Sequence, residues 1–202
     1  MSVEFNIVLP QRVHPQPIPF IHKGGDCGAC CLAGILGVTP AQAYELANHD
    51  PTDNCAVGSG PGMRKALWKL ESEGHLAGHI LDVPFWNEPD TLAFWGRPAW
   101  ESYDSWFRYL KLALEAGYYA IAPVEHAHLG PFATPNHVVL ICGVRFRWEP
   151  NPNLKGSLVG KEEILVSDSS TTPPSVPELW VGPREFLMKW GGYVVYLAKP
   201  KD

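Results

Sequence analysis

The chain has 202 residues, enough for one ordinary domain whose core needs no disulfide bridges. Apolar residues make up 46% of the sequence and charged residues only 18%, a composition that excludes an intrinsically disordered chain. The formal net charge is −5 and the Lys and Arg residues are not clustered, which argues against nucleic acid as a partner.

Hydropathy and cysteine content favour a cytoplasmic protein. The longest apolar runs, at 118–124 and 138–142, are far shorter than the roughly 18 residues that a membrane helix needs, so no membrane association is expected. The first residues have neither the basic segment nor the long hydrophobic segment of a secretory signal. Five cysteines are an odd number, and we expect reduced thiols.

Two helices are predicted in the first quarter of the chain. Asp26 is a suitable N-cap for a small, apolar helix that ends at Gly37, where glycine suits the C-cap. Thr39 and Gln42 have the spacing of a capping box, with proline at the first helical position, so a second helix is expected to run to about Asn48.

Apolar residues at helical spacing predict two further helices. One begins near Pro61 and ends at Gly74, and the other ends at Gly117. The connections at 54–62 and 85–106 are predicted to be irregular. Residues 1–116 are therefore expected to form a mainly helical lobe.

The pattern changes after Gly117, where short β-rich runs bounded by proline and glycine predict a sheet. A last helix is predicted at 184–190, before the final strand. The fold class is therefore α+β, a single domain over 1–202 whose sheet lobe covers 117–202. The predicted strands are 118–124, 137–148, 162–168 and 192–199.

Cys27 is the first candidate for chemistry, because it lies just after the predicted helix cap. Free backbone N–H groups and the helix dipole favour a thiolate at that position. The same N–H groups are suited to hold the oxyanion that forms when the thiolate attacks a carbonyl. A purely structural cysteine, buried to fill space, is the alternative.

His137 and Asp168 complete a possible triad. His137 begins the most apolar predicted strand, and Asp168 ends the strand after it. If these two strands are antiparallel neighbours, the start of one lies beside the end of the other. The carboxylate would then orient the imidazole and stabilise the imidazolium. A turn residue is the alternative role for Asp168.

Three segments in this order resemble the papain-like cysteine peptidases of the C39-like group. DCGACCL at 26–32 is similar to the segment that opens the central helix of that family, NHVVL at 136–140 to its histidine strand, and ILVSD at 164–168 to its aspartate strand. Residues 117–124 and 184–190 extend the similarity. The resemblance implies a nucleophile helix packed on a C-terminal antiparallel sheet.

By that resemblance Cys27 is the nucleophile, His137 the general base and acid, and Asp168 the orienting carboxylate. The family carries a glutamine six residues before the nucleophile as an oxyanion-hole donor, whereas this chain has Ile21 there. His22 is the nearest replacement, with Lys23 and Gln16 as rival donors. Ser169, where the family tends to have proline, is a minor departure.

The implied function is a cysteine hydrolase that cleaves a peptide or isopeptide-like amide through a thioester, without a cofactor or metal. Its partner would be a peptide or protein substrate. An acyltransferase or transglutaminase-like enzyme would use the same triad with an amine as acceptor. A non-catalytic binding domain with the papain-like fold is a further alternative, because Ile21 cannot donate a hydrogen bond.

Other residues have competing interpretations. Cys27 and Cys30 have the spacing of a zinc knuckle or a redox pair, but no second pair of that kind is found in the sequence. Cys30 and Cys31 are therefore expected in the core. His126 and His128 fit a solvated loop, and the aromatic residues of 85–107 fit a small second core better than a binding platform.

Overall fold

A computed structural model describes residues 4–10, 26–50, 52, 57, 61–84, 99–124, 137–167, 178–183, 186 and 194–201. For 26, 61, 82–84, 99–106, 123–124, 137, 178 and 194 it describes the backbone alone. Predictions for 54–56, for 58–60, for 85–98, for His126 and His128, and for most of 184–190 lie outside the described residues. Phe186 is described, and its N–H donates to the Gly182 carbonyl at 2.9 Å, with α-helical spacing.

Local capping signals confirm the first two helices. In helix α1 (Asp26–Leu36), Asp26 is the first helical residue rather than the predicted N-cap. The helix ends where Gly37 takes a φ of 74°, a conformation that costs glycine little. Helix α2 (Pro40–Ala47) has the predicted capping box, in which the N–H of Gln42 donates to the Thr39 hydroxyl at 3.3 Å. Its C-cap is Asn48.

Two longer helices follow in the described residues. Helix α3 (Pro61–Ser72) is confirmed and is followed by Gly74 at a φ of 77°. Helix α4 (Ala99–Glu115) ends before Gly117, as predicted, but it begins at Ala99. The prediction of an irregular connection was therefore wrong over 99–106.

Seven strands form one antiparallel sheet in the described part of the chain, in the order β2-β7-β3-β4-β5-β6, with β1 beside β4. The four predicted strands are confirmed as β3, β4, β5 and β7, whereas β1, β2 and β6 were not predicted. The strands are β1 (Phe5–Val8), β2 (Leu76–Pro84), β3 (Tyr119–Val124), β4 (His137–Pro150), β5 (Leu158–Ser167), β6 (Glu178–Val181) and β7 (Val194–Pro200).

Strand β4 is the centre of the sheet. One of its edges pairs first with β3, over 137–141, and then with β1, over 143–146. Its other edge pairs with β5 over 140–150. The middle of β4 therefore has a hydrogen-bonded neighbour on each edge, and its side chains on both faces are buried, which explains its long apolar run.

The two faces of β4 belong to two apolar clusters. Val138, Leu140 and Cys142 pack in a cluster with α1, α2 and α3. Val139 and Ile141 pack in a second cluster with α4. Alternation along the strand places these sets on opposite faces, so the sheet has helices on both sides and the fold class is α+β.

No single helix in the described ranges is both long and apolar enough to cross a membrane. Helices α1 and α2 pass that test of length and composition only as a pair, and they are bent by 98° at their junction.

Candidate active site

Cys27 lies in the first turn of α1 and is partly exposed. The other described cysteines, Cys30, Cys31 and Cys142, are buried, as predicted for Cys30 and Cys31. The first N–H groups of a helix have no acceptor within the helix, and they form the positive end of its dipole. Cys27 therefore combines partial access from solvent with a position at the positive end of the helix dipole, and its side chain packs against the apolar cluster of α1, α2 and α3.

Gly28 allows a close backbone approach next to Cys27. A Cβ at this position would lie 1.9 Å from the carbonyl oxygen of Val57, far inside van der Waals contact. Val57 itself is fully buried. The backbone at Val57 therefore lies directly against the first turn of α1, and only glycine fits there. The sequence pattern predicted no role for Gly28 or Val57. The glycine directly after the candidate nucleophile is the one signal in the sequence that points to this close contact.

Cys31 attaches α1 to the start of β4. Its thiol donates to the carbonyl oxygen of Val138, with Sγ and O 3.8 Å apart. Residues four apart share one face of a helix, so Cys31 lies one turn after Cys27 on the same side. Val138 directly follows His137. The contact therefore brings the N-terminal half of α1 against the first residues of β4.

His137 begins β4, as predicted, and its backbone pairs with Val124 of β3. The structure describes only the backbone of this residue. The position of the strand start is nevertheless defined by two neighbours, because β3 pairs with it and Cys31 contacts the next residue.

The end of β5 lies beside the start of β4. Leu140 pairs with Ser167, and Ile141 pairs with Val166, in antiparallel register. The predicted strand arrangement is therefore confirmed. Ser167 is 2% exposed, so the buried second half of β5, 163–167, extends to the last residue of the strand. Asp168 directly follows Ser167 in the sequence and lies outside the described residues, as do His22 and Ile21.

The described residues thus bring together three elements rather than three complete side chains: the first turns of α1, the start of β4 and the end of β5. Of the four predicted site residues, only Cys27 has a described side chain. In the same part of the chain, no group of three or more His, Cys, Asp and Glu side chains is arranged to hold a metal ion.

A charged cluster joins β4 and β5 further along the hairpin. Arg145 Nε lies 2.6 Å and Lys161 Nζ 3.2 Å from the carboxylate of Glu163, which is 5% exposed. Burial opposes the charge on Glu163, but the hydrogen bonds from Arg145 and Lys161 outweigh it, so its pKa lies below the ordinary value. Arg145 also stacks over the ring of Trp180, 4.0 Å from its centroid. The cluster therefore stabilises the antiparallel register of β4 and β5, in which Leu140 pairs with Ser167.

No protein-family model and no curated protein matches this sequence. Function is therefore inferred from the residues and from the elements that carry them.

Proposed function

We propose that this chain is a cysteine hydrolase with a papain-like fold that cleaves a peptide or isopeptide-like amide bond. Cys27 is the proposed nucleophile, His137 the general base and acid, and Asp168 the orienting carboxylate. The observation that carries the proposal is a partly exposed cysteine in the first turn of a helix that packs, through Cys31 and Val138, on the strand that His137 begins.

In the proposed reaction the Cys27 thiolate attacks the carbonyl carbon of the amide, and the carbonyl oxygen takes the negative charge. Backbone N–H groups of the first turn of α1 stabilise this oxyanion. The imidazolium of His137 then gives its proton to the leaving amine, and a thioester to Cys27 remains. Water, deprotonated by His137, attacks the thioester and releases the acid.

Asp168 and His22 have supporting roles in this proposal. A carboxylate that accepts from the second ring nitrogen of His137 fixes the tautomer and stabilises the imidazolium. His22 is proposed as the side-chain donor to the oxyanion, in place of a glutamine. Loss of one oxyanion-hole donor lowers kcat by about 10²–10³-fold. The donor that replaces glutamine in this chain therefore has a large effect on kcat.

A non-catalytic binding domain is the second candidate, favoured by Ile21 at the position of the usual donor. An acyltransferase is closely related to the hydrolase, because only the acceptor differs: an amine replaces water at the thioester step. The thioester is common to both enzymes and absent from the binding domain. A test of Cys27 reactivity therefore separates the enzymes from the binding domain.

The test is the rate at which iodoacetamide alkylates Cys27 near neutral pH, mapped by mass spectrometry on the whole chain. We expect alkylation of Cys27 about tenfold or more faster than that of free cysteine in solution. Cys142, which is fully buried, serves as the internal unreactive thiol. The variant His137→Ala should reduce the Cys27 rate to that of an ordinary thiol.

His75→Ala is the matched control, because His75 lies 38% exposed in the turn between α3 and β2. It should leave the Cys27 rate unchanged. Alkylation of Cys27 as slow as that of free cysteine, and insensitive to His137→Ala, would favour the binding domain. A thiol-directed activity-based probe then tests whether Cys27 is the nucleophile, because Cys27→Ala should remove all covalent labelling of the helix.

A further inference from the structure

Helix α1 carries a second cysteine that the proposed reaction does not use. Cys30 follows Cys27 by three residues and is 4% exposed. Both residues lie in the first half of α1 (Asp26–Leu36). A buried thiol one turn from a partly exposed one is an arrangement in which the second thiol can displace an oxidised group from the first.

A regular helix brings the Cα atoms of the two residues, but not their Cβ atoms, to the separation that a disulfide needs. An α-helix with a radius of about 2.3 Å and a rise of about 1.5 Å per residue places Cα atoms three residues apart at about 5 Å. Disulfides span Cα distances of roughly 4.4–6.8 Å. The Cβ atoms, about 5–6 Å apart on a regular helix, must approach to about 3.8 Å. Closure therefore needs a local tightening of the turn.

The first turn is where such tightening costs least. The first four N–H groups of a helix have no helical acceptor. A shift of Cys27 therefore breaks no helical hydrogen bond that its own N–H donates. Gly28, between the two cysteines, has no side chain that a changed turn would have to accommodate. Its contact with the Val57 carbonyl oxygen limits the movement of the Gly28 backbone, so the tightening falls on the backbone of Cys27, at the N-terminal end of the turn.

Cys31 is the competing partner, and its contacts argue against it. Its thiol donates to Val138, and it belongs to the apolar cluster between α1 and the sheet. A disulfide to Cys31 would break this contact and separate α1 from β4. A disulfide to Cys30 leaves it in place, so Cys30 is favoured as the partner of Cys27.

We propose that Cys27 and Cys30 form a reversible disulfide, with a peroxide as oxidant, which switches the active site off. The Cys27 thiolate attacks one peroxide oxygen, the O–O bond breaks, and Cys27 becomes a sulfenic acid while hydroxide leaves. The Cys30 thiol then attacks the Cys27 sulfur, and the sulfenic oxygen leaves as water. Two molecules of a small thiol such as glutathione reduce the disulfide and are themselves oxidised to one disulfide.

The effect on activity rests on the proposed function, whereas the disulfide itself does not. A Cys27 sulfur bonded to Cys30 has no nucleophilic thiolate, so the same bond that blocks catalysis also protects Cys27 from irreversible oxidation. In this proposal Cys30 is a resolving residue and touches no substrate.

The experiment treats the whole chain with hydrogen peroxide and follows its mass. We expect the wild type to lose two hydrogen atoms, with fragmentation placing the bond between Cys27 and Cys30, and dithiothreitol to reverse the change. Cys30→Ala and Cys30→Ser should instead gain oxygen atoms at Cys27. Cys31→Ala, the neighbouring thiol, should keep the disulfide of the wild type. Fragmentation of the wild type locates the bond even if a variant folds poorly.

A bond from Cys27 to Cys31 or Cys55, or stable oxygen addition at Cys27 in the wild type, would overturn the proposal. Iodoacetamide labelling adds the functional readout: peroxide should abolish labelling of Cys27, and dithiothreitol should restore it fully in the wild type. In Cys30→Ala, dithiothreitol reverses the sulfenic acid but not the sulfinic and sulfonic acids, so labelling should recover only in part. A failure of the proposed hydrolase appears separately, as slow labelling of the reduced chain before any peroxide is added.

Discussion

The thiol of Cys31 donates to the carbonyl oxygen of Val138 across 3.8 Å, and 107 positions of sequence separate the two residues. One partner lies a helical turn after Cys27, and the other directly follows His137. This contact joins the helix that carries the proposed nucleophile to the strand that carries the proposed base. Substitutions around it therefore test both the fold and the function.

Asp168→Asn should lower turnover by up to about 10⁴-fold, because an amide cannot stabilise the imidazolium and favours the wrong tautomer of His137. Turnover of an amide substrate and the rate of Cys27 alkylation measure the effect. Asp50→Asn is the matched control, since Asp50 follows α2 and accepts from Thr52. Equal turnover of Asp168→Asn and the wild type would show that Asp168 does not orient His137.

Gly28→Ala should destabilise the fold by about 1–3 kcal/mol, the usual cost of overpacking. Its new Cβ would lie 1.9 Å from a backbone oxygen of Val57, which cannot move as a side chain does. Urea unfolding measures the difference. Gly78→Ala is the control, because the nearest atom there is the Tyr118 hydroxyl oxygen at 3.2 Å, the end of a side chain. Equal costs for the two variants would contradict the Val57 contact.

Glu163→Gln should reduce stability at neutral pH by about 1–3 kcal/mol, the value of hydrogen bonds to a charged group. The pKa of Glu163 is lower in the folded chain than its ordinary value of 4.5. Its contribution is therefore complete above pH 4.5 and is lost as the pH falls through the lowered value.

Urea unfolding of the wild type and Glu163→Gln between neutral and acidic pH checks this expectation, and the two stabilities should converge in acid. Glu73→Gln is the control, because Glu73 is 43% exposed in its pair with Lys69, and it should change stability by less than about 0.5 kcal/mol. A constant difference between wild type and Glu163→Gln at all pH values would contradict the role of the Glu163 charge.

Thr39→Ala should lower the free energy of unfolding by about 0.5–2 kcal/mol, the range for loss of an N-cap. The Thr39 hydroxyl accepts from the N–H of Gln42 at 3.3 Å, and the Gln42 side chain accepts from the N–H of Thr39 at 3.0 Å. Thr39→Ser keeps the hydroxyl and should stay close to the wild type. Thermal unfolding of the three proteins is the measurement, and equal loss in both variants would contradict a capping role.

Elements defined by local signals were predicted well. The capping box at Thr39 and Gln42 fixed the start of α2, because both partners lie within one turn. The start of α4 was missed because the aromatic residues of 99–106 have only moderate helix propensity and no nearby cap signal.

Strands stabilised by pairing were the weaker part of the prediction. Strand β5 begins at Leu158, earlier than predicted. The prediction missed 158–161 because these residues are exposed and do not alternate between apolar and polar side chains. The short strands β1 and β6 have four residues each, and hydrogen bonds to β4 and β5 define them. Such pairs depend on residues far away in the sequence, which a local pattern does not contain.

The amino-acid sequence by itself determined the α+β class, the end of α1 at Gly37, the capping box of α2, the apolar strand β4 and the choice of Cys27, His137 and Asp168 as candidates. Only the tertiary structure decided that Cys31 meets Val138, that Val57 covers Gly28, and that Glu163 pairs with Arg145. Caps and periodicity depend on residues within a few positions of one another. Contacts across a core depend on how all elements pack together, and packing selects partners by shape and burial rather than by distance along the chain.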